Sequence, residues 1–205
     1  MDLRWLEWGK QLQAIAQNGL TYTEGVFDRE RYKALQAIAA EILATYSNVE
    51  PTYVLDLFAK EDGYATPKVD VRGVVFRDDR ILLVRERSDG CWTLPGGWAD
   101  LGESPSESVV REVYEESGYQ TRAIKLLAIC DRNKHGHPPL RHDVYKIFIQ
   151  CELLGGSPSH NIETDGVEFF GEHEIPELSL TRVMPAQIAR LFEHYRHPDW
   201  PTDFD

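Results

Sequence analysis

Residues 97–119 read GWADLGESPSESVVREVYEESGY. Glu112, Glu115 and Glu116 stand at i, i+3 and i+4 in this stretch, so on a helix their carboxylates share one face. Like charges at that spacing weaken an isolated helix by roughly a few tenths of a kcal/mol per pair. A cluster of this kind calls for a cation. A hard divalent ion such as Mg²⁺, or Mn²⁺ in its place, takes carboxylate oxygens and keeps positions open for substrate phosphates. The helix is specified locally: Ser104 is the predicted N-cap, Pro105 the first helical residue, Val109 and Val113 an apolar stripe, and Gly118 the stop.

Gly97, five residues, Glu103, seven residues, then Arg111-Glu112-Val113-Tyr114-Glu115-Glu116-Ser117-Gly118 resembles the signature of the Nudix hydrolase superfamily. One specified position differs: Tyr119 stands where the family usually has an aliphatic residue. The resemblance implies a Nudix-type α/β/α sandwich with a mixed β-sheet, an α+β fold, and metal-dependent hydrolysis of a pyrophosphate linkage. It implies Glu112, Glu115 and Glu116 as metal ligands, Glu112 also as the base that takes a proton from water, and the Gly97 carbonyl as a further ligand. Glu103 supports the site from the loop, and Arg111 orients neighbouring carboxylates with its rigid fork of donors.

Composition narrows the partners. A formal charge of −12 over 205 residues argues against duplex nucleic acid, which needs a basic face. It leaves phosphorylated small molecules open, because bound Mg²⁺ reverses the local sign of an acidic cleft. Cys91, Cys130 and Cys151 are widely spaced and read as free thiols of a reducing compartment. Asp2, Arg4 and Glu7 break any secretion-signal pattern, and no apolar run approaches membrane-spanning length, so a cytoplasmic protein without a membrane partner is expected.

Residues 1–66 read as a small all-helical domain. Trp5, Trp8, Leu12, Ile15 and Ala16 recur at helical spacing before a stop at Asn18-Gly19. The tryptophans are assigned to its core. A second helix begins near Asp28 and ends before Pro51, and 51–58 form a short third. So few residues bury little surface alone, so docking on the rest of the chain or pairing into a homodimer is expected. From residue 67 to 205 the pattern changes. Residues 69–76 and 81–86 form a hairpin around Arg77-Asp78-Asp79, residues 121–131 and 144–153 are further strands, 185–195 form a closing helix, and 197–205 an acidic tail.

Selection is expected outside the 97–119 stretch. Arg132, Lys134, His135 and His137 make a basic cluster in the loop 132–139, and Arg132, His135 and His137 are candidate substrate contacts. Glu163, Asp165 and Glu168 are candidates for one more carboxylate, which the resembled family often supplies from this region; Glu163 and Glu168 are also candidate substrate contacts. The chain as a whole looks like a bacterial two-domain subgroup described as acting on CDP-choline or ADP-ribose type molecules. The proline that marks many ADP-ribose enzymes would fall at Lys134, which sets CDP-choline slightly ahead. A nucleotide-sensing module without catalysis, an isopentenyl diphosphate isomerase and an enzyme of RNA ends or other nucleotides are the alternatives.

Overall fold

The structure, a computed structural model, describes residues 4–205; Asp2 lies outside the described residues. The chain divides into two compact units, Met1–Pro67 and Lys68–Asp205.

The first unit holds α1 (Arg4–Tyr22), α2 (Val26–Ser47) and α3 (Pro51–Phe58). Asn48, left-handed at φ 54°, closes α2, and Pro51 opens α3 where its missing N–H is no loss. α1 departs from expectation twice. It runs through Asn18-Gly19 to Tyr22 because this glycine serves close approach: a Cβ there would lie 2.3 Å from the Tyr32 ring. Asn18 instead accepts a hydrogen bond from the Ala65 N–H at 2.7 Å. The buried face of α1 is Leu6, Gly9 and Ala16, while Trp8 is 55% exposed and Trp5 half-buried, stacked on Tyr46. Small residues draw these helices together. Gly9 lies against Leu43, and Ala40 and Ala44 pack on Val54, which leaves no room for an indole between the backbones.

The second unit is built on β1 (Lys68–Arg77), β2 (Arg80–Glu86), β3 (Trp92–Thr93), β4 (Tyr119–Asp131), β5 (Val144–Gly156), β6 (Thr164–Gly171) and β7 (Asp203–Phe204). Their order is β3-β2-β1-β5-β4-β7, with β6 also paired to β2. β1 runs parallel to β5 and antiparallel to β2. Asp78 and Asp79 are both left-handed (φ 52° and 59°), as a two-residue hairpin requires to match strand twist. Successive residues of β1 serve opposite faces. Val71 and Val75 pack with Val109 and Val113 of α4 (Pro105–Ser117), and Val74 packs with Ile188, Leu191 and Phe192 of α5 (Pro185–Arg196). The result is the expected α/β/α sandwich over a mixed sheet. The tail differs from expectation, because residues 203–204 add an edge strand beside Ala128 and Ile129. Nothing in its local pattern announces a strand; Asp203 is fixed by Arg190 (2.6 and 2.8 Å) and His194 (2.9 Å), which only the fold brings near.

α4 is held at both ends as read from sequence. The Ser104 Oγ accepts from the Glu107 N–H, the Ser104 N–H donates to Glu107 Oε2 at 2.8 Å, and Gly118 is left-handed at φ 76°. Burial of Val109 and Val113 contributes about 1.5–3 kcal/mol each. The loop after β3 runs beside β1 like a further strand: Gly73 N–H donates to Pro95 O, Val71 N–H to Gly97 O and Ala99 N–H to Val69 O, at 2.8–2.9 Å. Beneath it, Gly73 lets α4 approach β1, since a Cβ there would fall 2.3 Å from Val113 Cγ2. Gly73→Ala is expected to lower stability by about 1–3 kcal/mol in urea unfolding. A midpoint equal to wild type would show that the helix does not depend on this close approach.

Candidate active site

α4 and the loop before it bring the acids of 97–119 around one arginine. Arg111 donates through Nε and Nη2 to both oxygens of Glu103 (2.9 and 3.0 Å), and through Nη1 to Glu112 and Glu115 (3.0 Å each). Its Nη2 also lies 3.2 Å from Asp100. Glu116, one turn after Glu112, turns inward and is buried, with its Oε2 accepting the Gly96 N–H at 2.9 Å. Gly97 lies close to Glu112: a Cβ there would stand 3.2 Å from a carboxylate oxygen, which would have to give way by a few tenths of an ångström. The Gly97 carbonyl already accepts from Val71, which leaves one lone pair for another partner.

The acids differ in their electrostatics. Burial pushes the Glu116 carboxyl up to about 8, against the pull of Arg72 and the Gly96 amide. Burial also raises Glu112, opposed by Arg111, while the Arg111 hydrogen bonds hold Glu103 below the usual carboxylate range. Glu86, at the end of β2, is buried too. Its carboxyl is raised by burial and paired with Arg182 at 2.9 Å. Glu86 and Glu112 both raise Glu116 by like charge. A divalent cation suits such a well, since its donors are all oxygen and its carboxylates are short of positive charge. Among the described residues no three of these side chains already converge with metal-holding geometry. Glu115 is turned outward to Arg111 and half exposed.

The other candidates fall into separate places. Thr164 Oγ1 donates to Glu116 O at 2.9 Å and the Asn161 amide to Glu115 O at 3.0 Å, so residues 161–164 dock on the end of α4. Glu163 rides on that segment and raises Glu86 by its charge. Asp165 is paired with Arg85 at 2.7 Å, and Glu168 is exposed on β6 opposite Leu83. Three members of the basic loop are tied down, while Lys134 stays exposed. Arg132 is buried and donates to Pro138 O and Thr181 O, and His135 meets Asp205 at 3.0 Å. His137 meets Leu180 O through Nδ1 at 2.8 Å. Burial lowers the His137 imidazole to about 4, so it is neutral at pH 7.

Besides Glu86, three charged residues outside the 97–119 stretch escaped the sequence reading. Asp70 and Arg72 on β1 and Lys146 on β5 are 6%, 4% and 1% exposed. Arg72 grips Asp70 with two bonds of 2.7 and 2.8 Å and donates to Leu94 O at 3.1 Å, while Lys146 Nζ reaches Asp70 Oδ1 at 2.9 Å. Burial and Arg72 lower the Lys146 ammonium to about 8 against the pull of Asp70, and both cations hold Asp70 below its ordinary range in spite of burial. The available signal was the alternation Val69-Asp70-Val71-Arg72, with charges on one face of a strand whose other face is apolar.

Comparison with known proteins agrees with this geometry. Residues 66–192 match the family described as the NUDIX domain, and residues 3–58 the one described as a UDP-X-like, N-terminal oligomerisation domain. A Bacillus subtilis (strain 168) protein, YjhB, whose name gives a provisional assignment as an ADP-ribose pyrophosphatase, is 48% identical over 205 residues, all of this chain and 99% of its own. The crystal structure of a UDP-X diphosphatase is 32% identical, with 98% of each chain covered and a TM-score of 0.65. That of an ADP-ribose pyrophosphatase from Streptococcus suis 89-1591 is 44% identical, covering 68% of this chain and 100% of its own, with a TM-score of 0.63. The acids of α4, the loop they meet and the two matched domains place this chain in the Nudix hydrolase family, with a UDP-X-like oligomerisation domain at its N-terminal end.

Proposed function

We propose that the chain hydrolyses the pyrophosphate linkage of a nucleoside diphosphate joined to a second group, releasing a nucleoside monophosphate and a phosphorylated remainder. The observation that carries this reading is the pair formed by buried Glu116 and partly buried Glu112, one turn apart beneath the Gly96-Gly97 loop, with Arg111 binding the neighbouring acids together. Mg²⁺ or Mn²⁺ would be held by Glu112, Glu116 and the Gly97 carbonyl, with Glu115 joining once it leaves Arg111. Bound there, the ion supplies charge neutralisation on the phosphates and a water acidic enough to lose its proton near neutral pH.

The chain's own groups do the rest. The Gly96 amide fixes one oxygen of Glu116, so that this carboxylate need not reorganise during the reaction. Glu112, raised by burial, takes the proton from the attacking water. That water oxygen bonds to one phosphorus as the bridging P–O bond breaks, and the departing phosphate keeps the bridging oxygen. Glu103 keeps Arg111 in place, and Arg111 bridges Glu112 and Glu115 through Nη1. Glu163 is the additional carboxylate, because its segment docks on α4, whereas Asp165 is committed to Arg85 and Glu168 lies five residues beyond Glu163 on β6.

For the substrate, the names of the relatives support ADP-ribose ahead of CDP-choline, with other nucleoside diphosphates linked to a small group close by. Arg132 and His137 act on selection by shaping the loop they tie to Leu180 and Thr181, and His135 stands at its more open end. The description of the N-terminal match and the exposed Trp8 support a homodimer, and the three free thiols support a reducing compartment such as the cytoplasm.

Against ADP-ribose, CDP-choline, dinucleoside polyphosphates and short RNA with Mg²⁺, turnover is expected on the first two. Glu112→Gln and Glu116→Gln should each lower kcat by about 10²-fold or more, and either variant working at the wild-type rate would remove that residue from the site. Tight nucleotide binding without turnover on any of them would favour a sensor. Glu163→Gln should slow the reaction at saturating substrate while Glu168→Gln stays near wild type; the reverse order would move the extra carboxylate to β6. Mn²⁺ or Mg²⁺ at about 100 times its dissociation constant should stabilise the fold by ~2.7 kcal/mol through linkage, seen as a raised melting temperature. No rise would count against ion binding at this site.

A further inference from the structure

The Asp70–Arg72–Lys146 network is a costly thing to bury. Taking ions out of water costs several kcal/mol each, and apolar residues of similar volume in place of such a network are often neutral or stabilising. Its place in the fold offers a reason for it. Arg72 lies on β1 directly beside the loop that carries Gly96 and Gly97, and the backbones are so close that a Cβ on Gly96 would come 2.0 Å from Val71 O and 3.0 Å from Arg72 Cα. One guanidinium nitrogen, Nη1, donates to Leu94 O, the carbonyl two residues before the amide that binds Glu116. The same charge pulls on Glu116, Glu112 and Glu86. The Arg72 fork cannot swing toward those acids, because Asp70 holds two of its nitrogens and Lys146 in turn holds Asp70.

We propose that Arg72, clamped by Asp70 and Lys146, is a positioning residue that sets the Leu94–Gly97 loop and Glu116 in place for the divalent ion. The inference rests on the metal-dependent hydrolase reading above. Arg72 forms no direct bond to the acids of α4. It acts on the ion's ligands from beneath, through the Leu94 carbonyl and through its fixed charge. Lys146 serves it by fixing Asp70 and does not itself face the ligands.

The test compares Mn²⁺ binding by calorimetry, without substrate, in full-length wild type, Arg72→Lys, Arg72→Met and the triple variant Asp70→Leu/Arg72→Met/Lys146→Leu. The triple variant removes all three charges together, so no member of the network stays behind as an unpaired buried ion, and it is expected to fold even where Arg72→Met does not. Loss of roughly 10- to 100-fold in Mn²⁺ affinity is expected for the triple variant, the range found when a group supporting a metal ligand is removed. Arg72→Lys, which keeps the charge and loses the fork, should recover part of it. In turnover assays the triple variant should lose kcat more than it raises KM for the nucleotide, with the loss reduced at high Mn²⁺. A stably folded triple variant that binds Mn²⁺ as tightly as wild type would overturn this inference and leave the hydrolase reading intact. Absence of Mn²⁺ binding in wild type itself would overturn both.

Discussion

Glu116 is buried with its charge only partly answered, and much of the second unit is arranged around that carboxylate. A group in that position must be protonated, paired or given a cation. The chain offers one backbone N–H from Gly96 and the nearby charge of Arg72, and neither brings the carboxyl back to its ordinary range. For Gly96 to reach it, the loop must lie flat against β1, which the bonds from Val71 and Gly73 arrange. For α4 to bring Glu116 there, Val113 must sit directly on Gly73.

Around that centre two other segments are drawn in. Residues 161–164 cap the end of α4 by bonding the carbonyls of Glu115 and Glu116, which its C-terminus would otherwise leave without partners. On the far side of the sheet, the 132–139 loop is fastened to the turn at Leu180-Thr181 by Arg132 and His137. These attachments use side chains that look free in the sequence. The one conspicuously basic loop of an acidic chain is therefore largely consumed in holding its own shape.

The helical unit follows a different rule. Its helices meet through Gly9, Gly19 and alanines, so the residues that matter for packing are the ones with least side chain. Trp8 is left on the outside for that reason, and among the described residues no helix is long and apolar enough to cross a membrane. The matched description of this segment as an oligomerisation domain accords with a surface that a single copy does not cover.

The sequence by itself determined whatever depends on neighbours along the chain. The start and stop of α4 follow from Ser104, Glu107 and Gly118, the hairpin from Asp78-Asp79, and the face shared by Glu112 and Glu116 from helical spacing. Spacing of that kind also identified the family. It did not reveal that Glu115 would be held outward by Arg111, that Asn18-Gly19 would continue a helix, or that the tail would become a strand. Only the tertiary structure decided those, and it alone placed Arg72 and Glu86 near the acids of α4 and gathered Asp70 and Lys146 around Arg72. Their partners are distant in sequence: Asp70 and Lys146 are 76 residues apart. A local pattern can show that a strand carries charges on one face, but whether that face meets water, a carboxylate or a metal site is settled by what packs against it.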